Sequence, residues 1–302
     1  MQRRSVLKTI GAALIAPSIT LAAPSPSRKR VLRVAHLTDV HLKNDLGAPA
    51  KFVKCLHHVQ QQTPRVDMIL NGGDIVFDMN KENMDTINTQ WKLYKDVLKN
   101  DCSLPVTYCL GNHDIWWAEN NKGQAIYGKQ YSLDQLHLSK PYYSMVKSGW
   151  KFIILDSVNL DIDGTWYIGK LGDVQFSWLE QELKNTDPGM PVLIMSHIPI
   201  LTATNLIEDD IVNRWQMYGG DMHTDVSKII KLFYRHPNVK LCLSGHIHLR
   251  ERLEYNNVTY ICDGAVSGAW WNGNRRETAP GYGLIDLYND GSFDERYVNY
   301  LS

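Results

Sequence analysis

An α/β fold, a layered sandwich of two mixed β-sheets flanked by helices, is what the sequence predicts. Two observations carry this. From Val31 onward, short apolar runs alternate with segments of helical periodicity, and past Arg250 the runs come as hairpins. Alternation followed by hairpins is the pattern of two sheets with helices outside them. No internal repeat and no splitting linker interrupts residues 31–302, so a single domain is expected there.

Each element follows in order. VLRVAHLTD, from Val31, is the first strand, and residues 48–62 read as a helix. RVDMILNGGD is a second strand ending in glycines. Over 84–99, Ile87, Trp91, Leu93, Tyr94, Val97 and Leu98 form a stripe close to the helical period. LPVTYCLGNHD is a third strand, and the Gly/Asn/Lys-rich stretch at 118–130 reads as a surface loop. YYSMVKSGWKFIILD gives two strands about a Ser-Gly turn. A helix over 173–185, the strand PVLIMSHIP, a helix over 224–235 and the strand NVKLCLSGHIH come next. The hairpins RLEYNNVTYI and GYGLIDLYNDGSFDERYVNY turn at Asn256-Asn257 and Asn289-Asp290-Gly291.

The N-terminus reads differently. A basic start with Arg3, Arg4 and Lys8 precedes a modest apolar run from Ile10 to Ala23 and then a Pro/Ser-rich stretch. The run is shorter than the roughly 20 apolar residues of a membrane span and fits a secretory segment. Pro17, Pro24 and Pro26 argue against a first helix of the fold. Arg3-Arg4-Ser5-Val6-Leu7-Lys8 resembles a twin-arginine export signal, with Val6 where phenylalanine is more usual. The organisation expected is a signal over 1–23, a linker over 24–30 and the domain over 31–302. The resemblance implies the twin-arginine machinery as a partner, a periplasmic or secreted location, and export in the folded state with any metal already inserted. Cleavage falls after Ala22 or Ala23. No cysteine follows the run, so no lipid anchor and no stable membrane anchor are expected.

Composition excludes more than it selects. Formal charge is zero, so no bulk field favours a nucleic-acid polymer or an anionic membrane. The five cysteines, Cys55, Cys102, Cys109, Cys242 and Cys262, lack C-x-x-C spacing and read as free thiols.

The chemistry lies in five polar clusters at the ends of apolar runs: Asp39-Val40-His41, Gly72-Gly73-Asp74, Gly111-Asn112-His113-Asp114, Ser196-His197 and Gly245-His246-Ile247-His248. Ligands of open α/β sheets bind outside the carboxyl ends of strands, so the five can meet at one rim. Alternate residues of an extended segment share a face, so Asp39/His41 or His246/His248 could hold one ion. Each cluster alone is a common turn or a satisfied histidine, but five strand ends repeating the pattern are not accidental. Asp, His and Asn without thiolate suit manganese, iron or zinc, and the set is too large for one ion.

The series D-x-H, G-D, G-N-H-D, H and G-H-x-H resembles the calcineurin-like metallophosphoesterase family. The resemblance implies a binuclear centre. Asp39, His41, Asp74 and His248 would hold one ion, and Asp74, Asn112, His197 and His246 the other, with Asp74 bridging. It implies attack on a phosphate ester by hydroxide held between the ions, His113 protonating the leaving oxygen and Asp114 orienting His113. Phosphodiesters are the preferred substrates; phosphomonoester hydrolysis and a non-catalytic module recognising a phosphorylated partner are the alternatives. Trp116, Trp117, Trp270, Trp271 and Arg275 are candidate substrate contacts, with one tryptophan of each pair expected to be exposed. Core packing of the tryptophans and a solvated Arg275-Arg276 pair are the plainer readings. Glu208-Asp209-Asp210 read as a solvated face, His36 as a core histidine, and His57, His58, His137, His223 and His236 as surface or capping residues.

Overall fold

The computed structural model describes residues 27–117, 122–161, 166–207 and 218–302. The expected export signal and the acidic run at 208–210 lie outside these.

The elements in chain order are β1 (Arg30–Leu37), α1 (Ala48–Gln60), β2 (Met68–Asn71), α2 (Met84–Asp101), β3 (Val106–Tyr108), α3 (Gln130–Leu136), β4 (Tyr143–Lys147), β5 (Trp150–Ile154), β6 (Val158–Leu160), β7 (Tyr167–Gly169), α4 (Gly172–Lys184), β8 (Val192–Met195), α5 (Val226–Tyr234), β9 (Val239–Ser244), β10 (Glu251–Tyr255), β11 (Val258–Cys262), β12 (Tyr282–Tyr288) and β13 (Phe293–Val298). One sheet runs β13-β12-β1-β2-β3 and the other β10-β11-β9-β8-β5-β4. Both are mixed: β1, β2 and β3 are parallel, as are β5, β8, β9 and β11, and the hairpin strands join antiparallel. The two-sheet sandwich read from the sequence is the fold.

Alternation along the strands sorts side chains between layers. Leu32 and Val34 of β1 and Met68 and Leu70 of β2 face Phe152, Ile154, Leu193, Met195, Leu241 and Leu243 of the second sheet. Their neighbours Ala35, Leu37 and Ile69 turn the other way, onto Phe52 and Leu56 of α1 and Trp91 and Tyr94 of α2. On the far side, Ile153, Ile194 and Cys242 cover Phe176, Leu179, Ile229 and Phe233 of α4 and α5. The layers are therefore helix, sheet, sheet, helix. Local signals agree with them: Asn83 caps α2 by accepting the amide of Thr86, and Pro49 sits in the first turn of α1.

Three features depart from the sequence reading. The third strand stops at Tyr108, and Asn112–Asp114 form a 3-10 turn. Helix α3 emerges at the end of the expected loop; at seven residues it is too short to show a period. The β6–β7 hairpin adds a separate two-stranded sheet beside the rim. No helix among the described residues is long and apolar enough to cross a membrane.

Candidate active site

The parallel strands end on the same side, and that is what gathers the five clusters. β1 leads into Asp39 and His41, β2 into Asp74, β3 into Asn112 and His113, β8 into His197, and β9 into His246 and His248. Their ligand atoms converge. His248 Nε2 is 3.3 Å from Asp39 Oδ1 and 3.1 Å from His41 Nε2. Asp74 Oδ2 lies 3.5 Å from His41 Nε2 and 3.3 Å from His197 Nε2, between the two groups. His197 Nε2 is 3.1 Å from Asn112 Oδ1, and the ring of His246 stands 5.1 Å from that of His197.

The loops approach so closely that some positions admit only glycine. A Cβ on Gly111 would collide with the Asp74 carboxylate, and one on Gly245 with Thr38 and Asp39. Asp39, His41, Asp74, His246 and His248 all carry positive φ, a conformation non-glycine residues rarely adopt. Such backbone costs of order 1–3 kcal/mol per residue and persists only where the surroundings enforce it, as they do at functional sites.

The donor set fits cations. His41 Nδ1 faces the Phe77 carbonyl at 3.3 Å, His248 Nδ1 the Gly268 carbonyl at 2.6 Å, and His197 Nδ1 the Gly72 carbonyl at 2.8 Å. A carbonyl only accepts, so each Nδ1 carries a hydrogen, and a ring that is neutral in this tautomer turns its Nε2 lone pair toward the site. Two such lone pairs at 3.1 Å repel unless a cation lies between them. Two nitrogens each about 2.1 Å from one metal ion end up at about this spacing. Burial holds His41 and His246 down at about 3, ready to ligate. Burial also opposes the charge of Asp74, but His197, His113 and His41 outweigh it and keep the carboxylate well below its ordinary range. His197, despite burial, is raised to about 9 by Asp74 and Asp39, so an ion taking this ring would have to displace its proton.

His113 stands beside this set, its ring 4.7 Å from that of His41. Its partner differs from the expected one. Asp114 Oδ1 accepts the amides of Ile75 and Val76, and its Oδ2 accepts the amide of Gly111. Asp114 is thus a staple between the second and third motif loops, fully buried, and the expectation that it orients His113 is corrected. The carboxylate near His113 is Asp78, whose Oδ1 is 3.6 Å from His113 Nδ1, an ion-pair distance just beyond a hydrogen bond. Burial favours neutral His113, but Asp74 and Asp78 raise it to about 9 in the metal-free site.

Residues 32–250 match the family model of the calcineurin-like phosphoesterases. The chain belongs to that family. It is accordingly a metal-dependent phosphoester hydrolase. It is 26% identical over 281 residues to a 3′,5′-cyclic-nucleotide phosphodiesterase of Nostoc, covering 88% of this chain and 92% of the relative. It is 22% identical over 235 residues to a probable glycerophosphodiester phosphodiesterase of Arcobacter nitrofigilis, 76% of each chain. A dimetal phosphatase of Danio rerio shares the fold at TM-score 0.61 and 14% identity, over 90% of this chain and 100% of that one.

The walls above the phosphoesterase ligand set are less regular. A cavity of about 180 Å³ is bordered by His113, Tyr167, Asp221, Trp270 and Arg275 over the ligands. Of the four expected tryptophans, Trp270 alone borders it, its ring 4.6 Å from that of His248. Trp116 is only 2% exposed and donates its indole N–H to the Glu82 carbonyl; Trp271 is 4% exposed and donates to the His41 carbonyl. Both are core residues, and Trp271 braces the His41 turn from beneath. Trp117 is half-buried, packs beside Ile115, Val158 and Ile198 and faces Tyr127. The expectation that these three line the pocket is corrected: each ring fills space that anchors its loop to the sandwich. Arg275 does border the cavity, 5.7 Å from the centre of the Trp270 ring. His36 is the core histidine expected, paired with buried Asp263 at 2.7 Å. His223 is a correction: it is fully buried, between Ser196 Oγ at 3.0 Å and Asp225 at 3.2 Å, in the layer that supports His197. Sequence reading missed Asp78, Tyr167 and Asp221. Asp78 alone carried a signal, an acid four residues past Asp74.

A larger apolar groove of about 730 Å³ lies between α5 and the β10–β11 hairpin, lined by Leu201, Ile230, Tyr234 and Tyr255. It contains no ligand set, so the chemistry belongs to the smaller cavity.

Proposed function

We propose that this chain hydrolyses small phosphodiesters with two metal ions held by Asp39, His41, Asp74, Asn112, His197, His246 and His248. The observation that carries this is the approach of His41 Nε2 to His248 Nε2 at 3.1 Å, with Asp74 placed to serve both ligand groups. When bound, manganese, iron or zinc ions neutralise the ester and lower the pKa of water toward neutrality, which supplies the nucleophile.

The chain's own residues do the rest. His113 Nδ1 faces Asp78, which leaves Nε2 to deliver a proton to the leaving alkoxide oxygen. Asp114 keeps Asp74 and Asn112 in register by tying their loops together. Trp270 offers an apolar wall for the second ester substituent that a diester has and a monoester lacks. The diester preference is further supported by the names of two relatives, a phosphodiesterase of Nostoc and a probable phosphodiesterase of Arcobacter nitrofigilis.

The test is turnover of bis(4-nitrophenyl) phosphate, a 3′,5′-cyclic nucleotide and a glycerophosphodiester against 4-nitrophenyl phosphate, with Mn²⁺, Fe²⁺ or Zn²⁺ added and metal content measured. A higher kcat/KM on one or more diesters is expected. Turnover of the monoester alone makes the chain a phosphomonoesterase; no turnover with two ions bound makes it a binding module.

We also propose twin-arginine export to the periplasm or beyond, on Arg3-Arg4 and the apolar run that follows. Replacing Arg3 and Arg4 by lysines should retain the protein inside the cell; unchanged export would rule that route out.

A further inference from the structure

The hairpin β6–β7 brings to the ligand set a residue that no motif contains. Tyr167 borders the cavity on the His246 side, its ring 5.9 Å from the His246 ring and near perpendicular to it, while His113 borders the His41 side. The Tyr167 ring is fixed by its surroundings. β7 pairs with β6, the Gly169 amide donates to the Gly219 carbonyl, and the Thr224 hydroxyl donates to the Gly169 carbonyl, which docks residues 219–224 on the hairpin. Gly220 lies over the ring, where even a methyl group would sit 3.1 Å from it. Ile115, Val158 and Ile198 pack beneath. Among the described residues none takes up the Tyr167 hydroxyl in a hydrogen bond, although the residue is half-buried beside a polar cavity. A rigid hydroxyl with no partner among the described residues, beside a site for an anion, is what transition-state stabilisation requires.

We propose that Tyr167 is a catalytic residue whose hydroxyl donates a hydrogen bond to a non-bridging phosphoryl oxygen of the bound ester, across the ligand set from His113. The role rests on the phosphoester reading of the site. It gives the developing negative charge a fixed partner from the protein itself, as His113 gives the leaving oxygen its proton.

The experiment compares the full metal-loaded chain with its Tyr167→Phe variant, which keeps the ring and removes only the hydroxyl. Metal content, kcat and KM on the diesters and monoester above, and the affinity for inorganic phosphate are measured on both. Retained metal, a kcat lower by about 100- to 1000-fold with KM changed far less, and weaker phosphate binding are expected. Unchanged kcat and phosphate affinity would overturn the role. So would a loss of activity that merely follows loss of metal, because Tyr167 would then only support His246. If wild type turns over the monoester alone, the diester reading fails and Tyr167 is judged on the monoester. If wild type turns over neither, phosphate affinity decides.

Discussion

The floor and the walls of the cavity are built by different rules. The floor is Asp39, His41, Asp74, Asn112, His197, His246 and His248, all on turns that leave parallel strands, with His41, His197 and His248 each tethered through Nδ1 to a backbone carbonyl. The walls are Trp270, Arg275, Tyr167 and Asp221, from a late loop, a small hairpin and the segment before α5. The floor needs fixed atoms at fixed spacing, so its positions are over-determined by sheet order, glycine contacts and strained backbone. Apart from Tyr167, the walls need only present surface to whatever ester enters. On the proposed reading the floor, with His113 and Tyr167, runs the reaction and the other wall residues select the ester, so changes in the two should be separable.

The largest effect should come from the floor. Asp74→Ala removes the carboxylate that faces both His41 and His197. Outer partners of a metal ligand typically cost about 10–100-fold; loss of the shared ligand itself should exceed that and take bound metal with it. Metal content and kcat/KM measure both, and a variant that kept two ions and most of its activity would break the distinction between floor and walls.

A smaller effect should follow at the edge where floor meets wall. His113 is raised to about 9, so its protonated form persists to that pH and is lost above it. Asp78 is one of the groups that raise it, so Asp78→Asn lowers the His113 pKa and moves the alkaline limb of kcat/KM toward lower pH. Bound cations lower the pKa in both proteins and leave the direction of the difference intact. At neutral pH the loss should stay below about tenfold, because Asp78 acts through His113 and touches no ligand. An unmoved alkaline limb would return the search for the partner of His113 to other residues.

Legibility differs along the same line. The strand-end motifs could be read because their chemistry is compressed into a few adjacent letters. Asp114 was misread for that reason: adjacency to His113 suggested partnership, whereas the 3-10 turn points its carboxylate at the amides of Gly111, Ile75 and Val76. The tryptophan pairs show the same limit. Trp116-Trp117 and Trp270-Trp271 are identical dipeptides, yet Trp270 alone borders the cavity, because orientation depends on the turn each pair occupies and on the space beneath it.

By itself the sequence determined the sandwich, since apolar period and hairpin turns are local properties of the chain. It also placed Asp, His and Asn at the strand ends, where side chains of that chemistry form the candidate ligand set. Tertiary structure alone decided which nitrogen of His41, His197 and His248 is tethered to a backbone carbonyl and which carboxylate reaches His113. It also placed Tyr167 from the hairpin beside His246 and drew five non-glycine residues of the floor into left-handed backbone. These outcomes depend on the packing of loops that are distant in the chain, and no local pattern records that packing.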